Sequence, residues 1–101
     1  MTSGLRLKGK IAPYVKILQA IAHAHRLAIV YLLAHEPLRT RDLMQKIGLN
    51  QSLLVHHLDI LKKEGWIRKQ RAGKHMTYLL EKKMFTKLVR LLKDTPFGKS
   101  F

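Results

Sequence analysis

The chain has 101 residues, enough for one domain with a modest core. Twenty Lys+Arg against six Asp+Glu give a formal charge of +14, and an excess of that size on a small domain points to a polyanionic partner. The absence of cysteine excludes disulfides and every thiolate metal or redox site. No apolar run approaches the ~20 residues of a membrane-spanning helix.

The N-terminus MTSGLRLKGK lacks the apolar core of a signal peptide, so a cytoplasmic protein, associated with the nucleoid through its charge, is expected. No helix pairs a clear basic face with an aromatic-rich apolar one, which argues against a membrane surface as the partner. The composition reads as a single domain over residues 1–101, with 1–9 and 95–101 expected to be flexible.

The first predicted helix runs from Ile11 to about Ala22, with Pro13 in its first turn. Its apolar residues, Ile11, Tyr14, Val15, Ile17, Leu18, Ile21 and Ala22, cover more surface than one core-facing stripe needs. A second helix is expected from His25 to His35, carrying Leu27, Val30, Tyr31 and Leu33 or Ala34, and Glu36-Pro37 ends it.

Residues 40–61, TRDLMQKIGLNQSLLVHHLDIL, then place two short apolar-periodic helices around Gly48. Leu43 and Ile47 mark the inward face of the first; Leu54, Leu58 and Leu61 continue it on the second. Gly48 suits the left-handed residue after a helix end, and Asn50 is a good N-cap for the helix that follows. This is a helix-turn-helix pattern, which presents its second helix to a DNA major groove.

Gly65 stops that helix and the period changes. Trp66 to Arg71 and Lys74 to Leu80 are β-favourable runs separated by Ala72-Gly73, a short hairpin. A last helix, about Lys82 to Lys93, carries Met84 or Phe85, Leu88, Val89, Leu91 and Leu92, again more apolar surface than a terminal helix on so small a core needs. The tail from Asp94, with Pro96 and Gly98, is expected to be loose. The predicted order is α-α-α-α-β-β-α, mainly α with a small β-hairpin: a winged helix.

The stretch from Ala20 to Leu80 resembles the arsenic-repressor-like (ArsR) family of winged-helix regulators. AIAHAHRLAIVYLL is similar to that family's approach to its second helix, LNQSLLVHHLDILKKEGWI to its recognition helix, and RKQRAGKHMTYLL to its wing. The resemblance implies a homodimeric transcriptional repressor that dimerises through its first and last helices. Those are the two helices with surplus apolar surface. Tyr14, Val15, Leu18, Phe85, Leu88 and Leu92 are therefore the candidate dimer interface.

Departures from the family pattern bear on control. Many members sense metal through a Cys-x-Cys pair on the helix before the recognition helix, and Arg39 and Arg41 stand at those positions here. A permanently protonated guanidinium offers no lone pair to a metal. The other common site uses acidic and His ligands on the last helix, which has no histidine here. Met44 stands where a small residue is usual, and His25 where Thr, a better cap, is more often found.

With Leu54, Leu58 and Leu61 inward, the outer face of the recognition helix carries Gln51, Ser52, Val55, His56 and Asp59, preceded by Asn50. Gln51 and Ser52 lie in the turn that reaches base edges, and Gln can pair bidentately with adenine. Val55 suits a thymine methyl and His56 a base or phosphate, whereas Asp59 is read as a helix neighbour of Lys62 or Lys63. His57, three residues after Leu54, faces partly inward and is read as structural.

Six positive residues and one acid, Glu64, occupy Lys62 to Lys74. Arg71 and Lys74 flank the hairpin tip, and with Lys62, Lys69, His75, Arg39 and Arg41 they form the candidate phosphate-contacting set. Arg6, Lys8 and Lys10 are a candidate arm on neighbouring backbone.

Six histidines invite a metal site, but His23 and His25 are two apart and His56 and His57 adjacent, and neither spacing puts two ligands on one helical turn. No metal and no cofactor are expected. Catalysis has no foothold either: there is no Ser or Thr with an evident His-acid partner, no phosphate-cradling glycine loop and no paired carboxylates. The expected partner is double-stranded DNA, bound by a homodimeric sequence-specific repressor. The alternative is an abundant, weakly specific nucleoid-coating protein, which the charge also suits.

Overall fold

The computed structural model describes residues 3–93, 95, 96 and 98. Its order is α1 (Ser3–Ile21), α2 (Ala24–Leu33), α3 (Thr40–Ile47), α4 (Gln51–Lys63), β1 (Ile67–Ala72), β2 (His75–Leu80) and α5 (Lys82–Lys93). The winged helix-turn-helix expected from the sequence is the fold.

The core gathers Ile17 and Ala20 of α1, Ile29, Val30 and Leu33 of α2, Leu43 of α3, and Leu54, Leu58 and Leu61 of α4 around Trp66, Ile67, Tyr78 and Met84. The predicted inward stripe of α4 is thus buried, and α4 is packed by the helices before it and the wing after it. Its outer face is fixed in orientation as a result.

Two chain reversals set that orientation. Gly48, at φ 80°, ends α3, and the Asn50 carbonyl oxygen Oδ1 accepts from Leu53 N–H at 2.8 Å to cap α4. At the other end Trp66 N–H reaches the Leu61 carbonyl (2.9 Å) and Gly65 N–H the Lys62 carbonyl (3.1 Å). That bond pair is a Schellman motif with Gly65 at φ 86°, and it turns the chain straight into the wing.

The wing is an antiparallel hairpin whose register runs from Ile67 opposite Leu80 to Ala72 opposite His75. Its turn is Gly73-Lys74, one residue later than the Ala72-Gly73 predicted. Gly73 has φ 63° and Lys74 does not have positive φ, the backbone signs of a II′ turn, which takes glycine at its first central position. Leu38 and Tyr78 exchange backbone hydrogen bonds of 2.8 and 3.2 Å, so the segment before α3 adds a short third rung to the wing's free edge.

Three expectations need correction. Helix α1 begins at Ser3, not Ile11, so residues 3–9, expected to be flexible, are helical. Gly4, Arg6, Leu7, Lys8 and Gly9 among them are exposed and give no inward periodicity to reveal the helix. Pro13 then lies inside α1 rather than in its first turn, where it removes the bond to the Gly9 carbonyl; both residues are exposed, so water can serve that carbonyl. The cap of α2 is His23, whose Nδ1 accepts from His25 N–H at 3.2 Å, and His25 itself sits within the helix. The tail expected to be loose lies largely outside the described residues.

Candidate nucleic-acid interface

Helix α4 exposes Gln51, Ser52, Leu53, Val55, His56 and Asp59 on the side away from the core, while Leu54, His57, Leu58 and Leu61 are buried. The reading-face residues named from helical geometry are all on the open face. Asn50 is exposed too, but its side-chain oxygen is committed to the cap, which leaves only its amide N–H₂ free to meet a ligand.

The wing adds a projecting cationic edge. Lys69, Arg71, Lys74 and His75 are exposed, and among the described residues none of the three long cations forms an ion pair. Lys69 Nζ lies 5.8 Å from the centre of the Tyr78 ring, which steadies its stem without neutralising it. By contrast Arg68 at the wing's base is held by Glu81 at 2.7 Å and is not free for phosphate.

The other predicted phosphate contacts divide. Arg41 is exposed on α3. Arg39 is half-buried at the N-cap of α3, where its N–H donates to Asp42 Oδ2 at 3.2 Å and its Nε lies 3.7 Å from the same carboxylate. Its charge is therefore partly spent on holding α3 in place. Lys62 meets Asp59 at 4.0 Å, the neighbour pairing read for Asp59, but at that separation and exposure the pair contributes little.

The candidate dimer surface is open. Val15 and Leu18 are each 43% exposed, Phe85 and Leu92 each 41%, and Tyr14 and Leu88 are half-buried. Only Met84 of α5 is buried; Phe85 meets Trp66 edge-on at 5.3 Å and otherwise faces out. These side chains leave apolar surface of α1 and α5 open to solvent, the kind of surface that marks interaction sites when it is contiguous.

One group of residues was not foreseen. His23, His25 and His57 come together, with one imidazole nitrogen of each lying within 4.8 Å of the others. Their ring centroids lie 4.7–5.5 Å apart in tilted and edge-on arrangements. His57 is buried, yet its Nδ1 has no hydrogen-bond partner, so the structural role expected for it leaves a polar atom unsatisfied. Burial, and after it the charges of His23, Arg26, His56 and His25, hold the His57 imidazole below its ordinary pKa. Helical spacing within one element could not have revealed a site assembled across two; the one signal was a histidine set in the inward stripe of Leu54, Leu58 and Leu61.

Comparison with known proteins agrees with this architecture. Residues 23–69 match the family described as "Bacterial regulatory protein, arsR family". The chain is 38% identical over 69 residues to the HTH-type transcriptional regulator NmtR of Mycobacterium tuberculosis, a match spanning 68% of this chain and 58% of NmtR's length. Among solved structures it is similar to the ArsR family transcriptional regulator RHA00566, with a TM-score of 0.72, 27% identity, and coverage of 81% of this chain and 90% of that one. The homodimeric winged helix-turn-helix DNA-binding domain Mb0332 of Mycobacterium bovis shares the fold at a TM-score of 0.69 and 23% identity, covering 88% of this chain and 85% of that one.

Proposed function

The chain is an ArsR-like winged helix-turn-helix protein without cysteine, and from that premise we propose that it is a homodimeric, sequence-specific repressor of transcription that no thiolate-bound metal controls. The observation that carries this reading is the pairing on one molecule of an exposed α4 face, Gln51, Ser52, Val55 and His56, with an exposed cationic wing, Lys69, Arg71, Lys74 and His75.

The division of labour follows from chemistry. Wing cations attract phosphate, supply affinity and set the register on the duplex without reading sequence. Gln51 offers the amide that matches adenine's donor–acceptor pair, and Val55 an apolar contact for a thymine methyl. The open apolar faces of α1 and α5 support pairing of two copies, which would set two α4 helices about 34 Å apart on successive turns of the major groove. Repression then needs no chemistry beyond occupancy of the site.

A second reading is favoured by one specific feature, the charge of +14 spread over α1 and α5 as well as the wing. Such a distribution also suits a weakly specific DNA-coating protein. Selection of bound fragments from genomic DNA distinguishes the two. A consensus with two-fold symmetry and half-sites one helical turn apart is expected of the repressor; recovery of fragments without a consensus overturns it.

A further inference from the structure

The geometry points to a metal site formed by His23, His25 and His57, suited to a borderline divalent ion such as Zn(II), which joins the start of α2 to the recognition helix α4. It lies apart from α5 and from the α3 positions held by Arg39 and Arg41, and it does not depend on the DNA-binding reading.

Two observations converge on it. One nitrogen from each ring already lies within 4.8 Å of the others, whereas imidazole nitrogens sharing a tetrahedral Zn(II) at ~2.0–2.1 Å stand about 3.4 Å apart. The remaining closure falls on His23, which is exposed, and His25, which is half-buried, both at the corner between α1 and α2 rather than in the core. The third donor, His57, is only 5% exposed and is the fixed point of the site.

The second observation is the unpartnered Nδ1 of His57. A buried imidazole nitrogen without a partner is a defect in a core, and a metal ion is a group that would complete it.

Two features oppose binding and define its character. His23 Nδ1 now caps α2 by accepting from His25 N–H, a 3.2 Å exposed bond that coordination would end. Arg26, whose charge reaches His57, repels a cation and favours an anion over water as the fourth ligand. No carboxylate belongs to the cluster, so the donor set selects against Mg(II) and Ca(II) and for ions that prefer nitrogen. Filled, the site would stiffen α4 directly behind His56 of the reading face.

The test is calorimetric titration of the untagged full chain with Zn(II) alone at pH 7.5, with Co(II) absorption as a spectroscopic probe of tetrahedral nitrogen coordination. One equivalent should bind. H23S/H25S, in which serine preserves the cap at position 23, should weaken binding at least 100-fold and abolish the Co(II) spectrum, while H35N/H75N should leave both unchanged. Far-ultraviolet circular dichroism verifies the fold, and H25S alone, expected to weaken binding at least 10-fold, serves if the double variant loses helix. The proposal is overturned if the wild-type chain binds no stoichiometric Zn(II), if the folded H23S/H25S chain binds as tightly as wild type, or if H35N/H75N loses binding equally.

Discussion

The indole N–H of Trp66 donates to the backbone carbonyl of Ile17 at 2.9 Å, a buried bond between residues 49 apart in sequence. It ties α1, the helix that would carry half of the dimer surface, to the third residue after the recognition helix. The Schellman turn at Gly65 delivers Trp66 to that place, so the end of α4, the base of the wing and α1 share one fixed point. Trp66→Phe should destabilise the fold by about 1–3 kcal/mol, through the lost bond and the unfilled volume. Urea unfolding followed by circular dichroism measures it, and an unchanged midpoint would deny the bond its role.

The wing and α4 should fail in different ways. Arg71→Ala with Lys74→Ala should weaken binding to all duplexes alike and lower the slope of log affinity against log salt by roughly two. Gln51→Ala should instead cost about 1–3 kcal/mol on the preferred sequence and relax preference at one position of each half-site, with the salt slope kept. Fluorescence anisotropy across a salt series separates the two signatures.

Val15 and Leu92 are apolar residues that open onto solvent from α1 and α5. In a two-fold interface each substituted charge meets its own copy or a newly buried apolar wall. Val15→Glu with Leu92→Glu should therefore convert a dimer into a monomer, read by analytical ultracentrifugation, without loss of helical signal. A dimer that persists would place the interface elsewhere.

The pH dependence follows from His57. Its pKa lies below the ordinary 6.5 in the folded chain, for burial first and then the charges of His23, Arg26, His56 and His25. The unfolded chain therefore binds more protons below pH ~6.5, and stability falls as pH drops from there toward the folded-state value. In chelator-containing buffer the urea midpoint should decline between pH 7.5 and 5.5, above the range where carboxylates titrate. His57→Leu should flatten that decline; an equal decline in the variant would assign it to other groups.

Much of the fold was legible because its signals are local. Gly48 and Asn50 mark a turn whose geometry each residue chemically favours, and the leucine stripe of α4 needs only the helical period. The first half of α1 escaped because exposed Arg6, Lys8 and Lys10 carry no inward pattern, and Leu7 is itself 58% exposed. The hairpin turn slipped by one residue because a glycine fits the first central position of one turn type and the second of another.

The site divided along the same line. Gln51, Ser52, Val55 and His56 could be placed from one helix, whereas the partial engagement of Arg39 by Asp42 was obscured by a reading that counted charge before capping. The histidine cluster depends on how α2 packs against α4, which no spacing within either element encodes.

Competition titration tests the central claim most directly. The chain is bound to its selected duplex at fixed salt and challenged with random duplex of equal length. A sequence-specific regulator should prefer its site by ~10³-fold or more. Displacement by random duplex at a comparable concentration would contradict that claim and leave the winged helix as a DNA-coating protein.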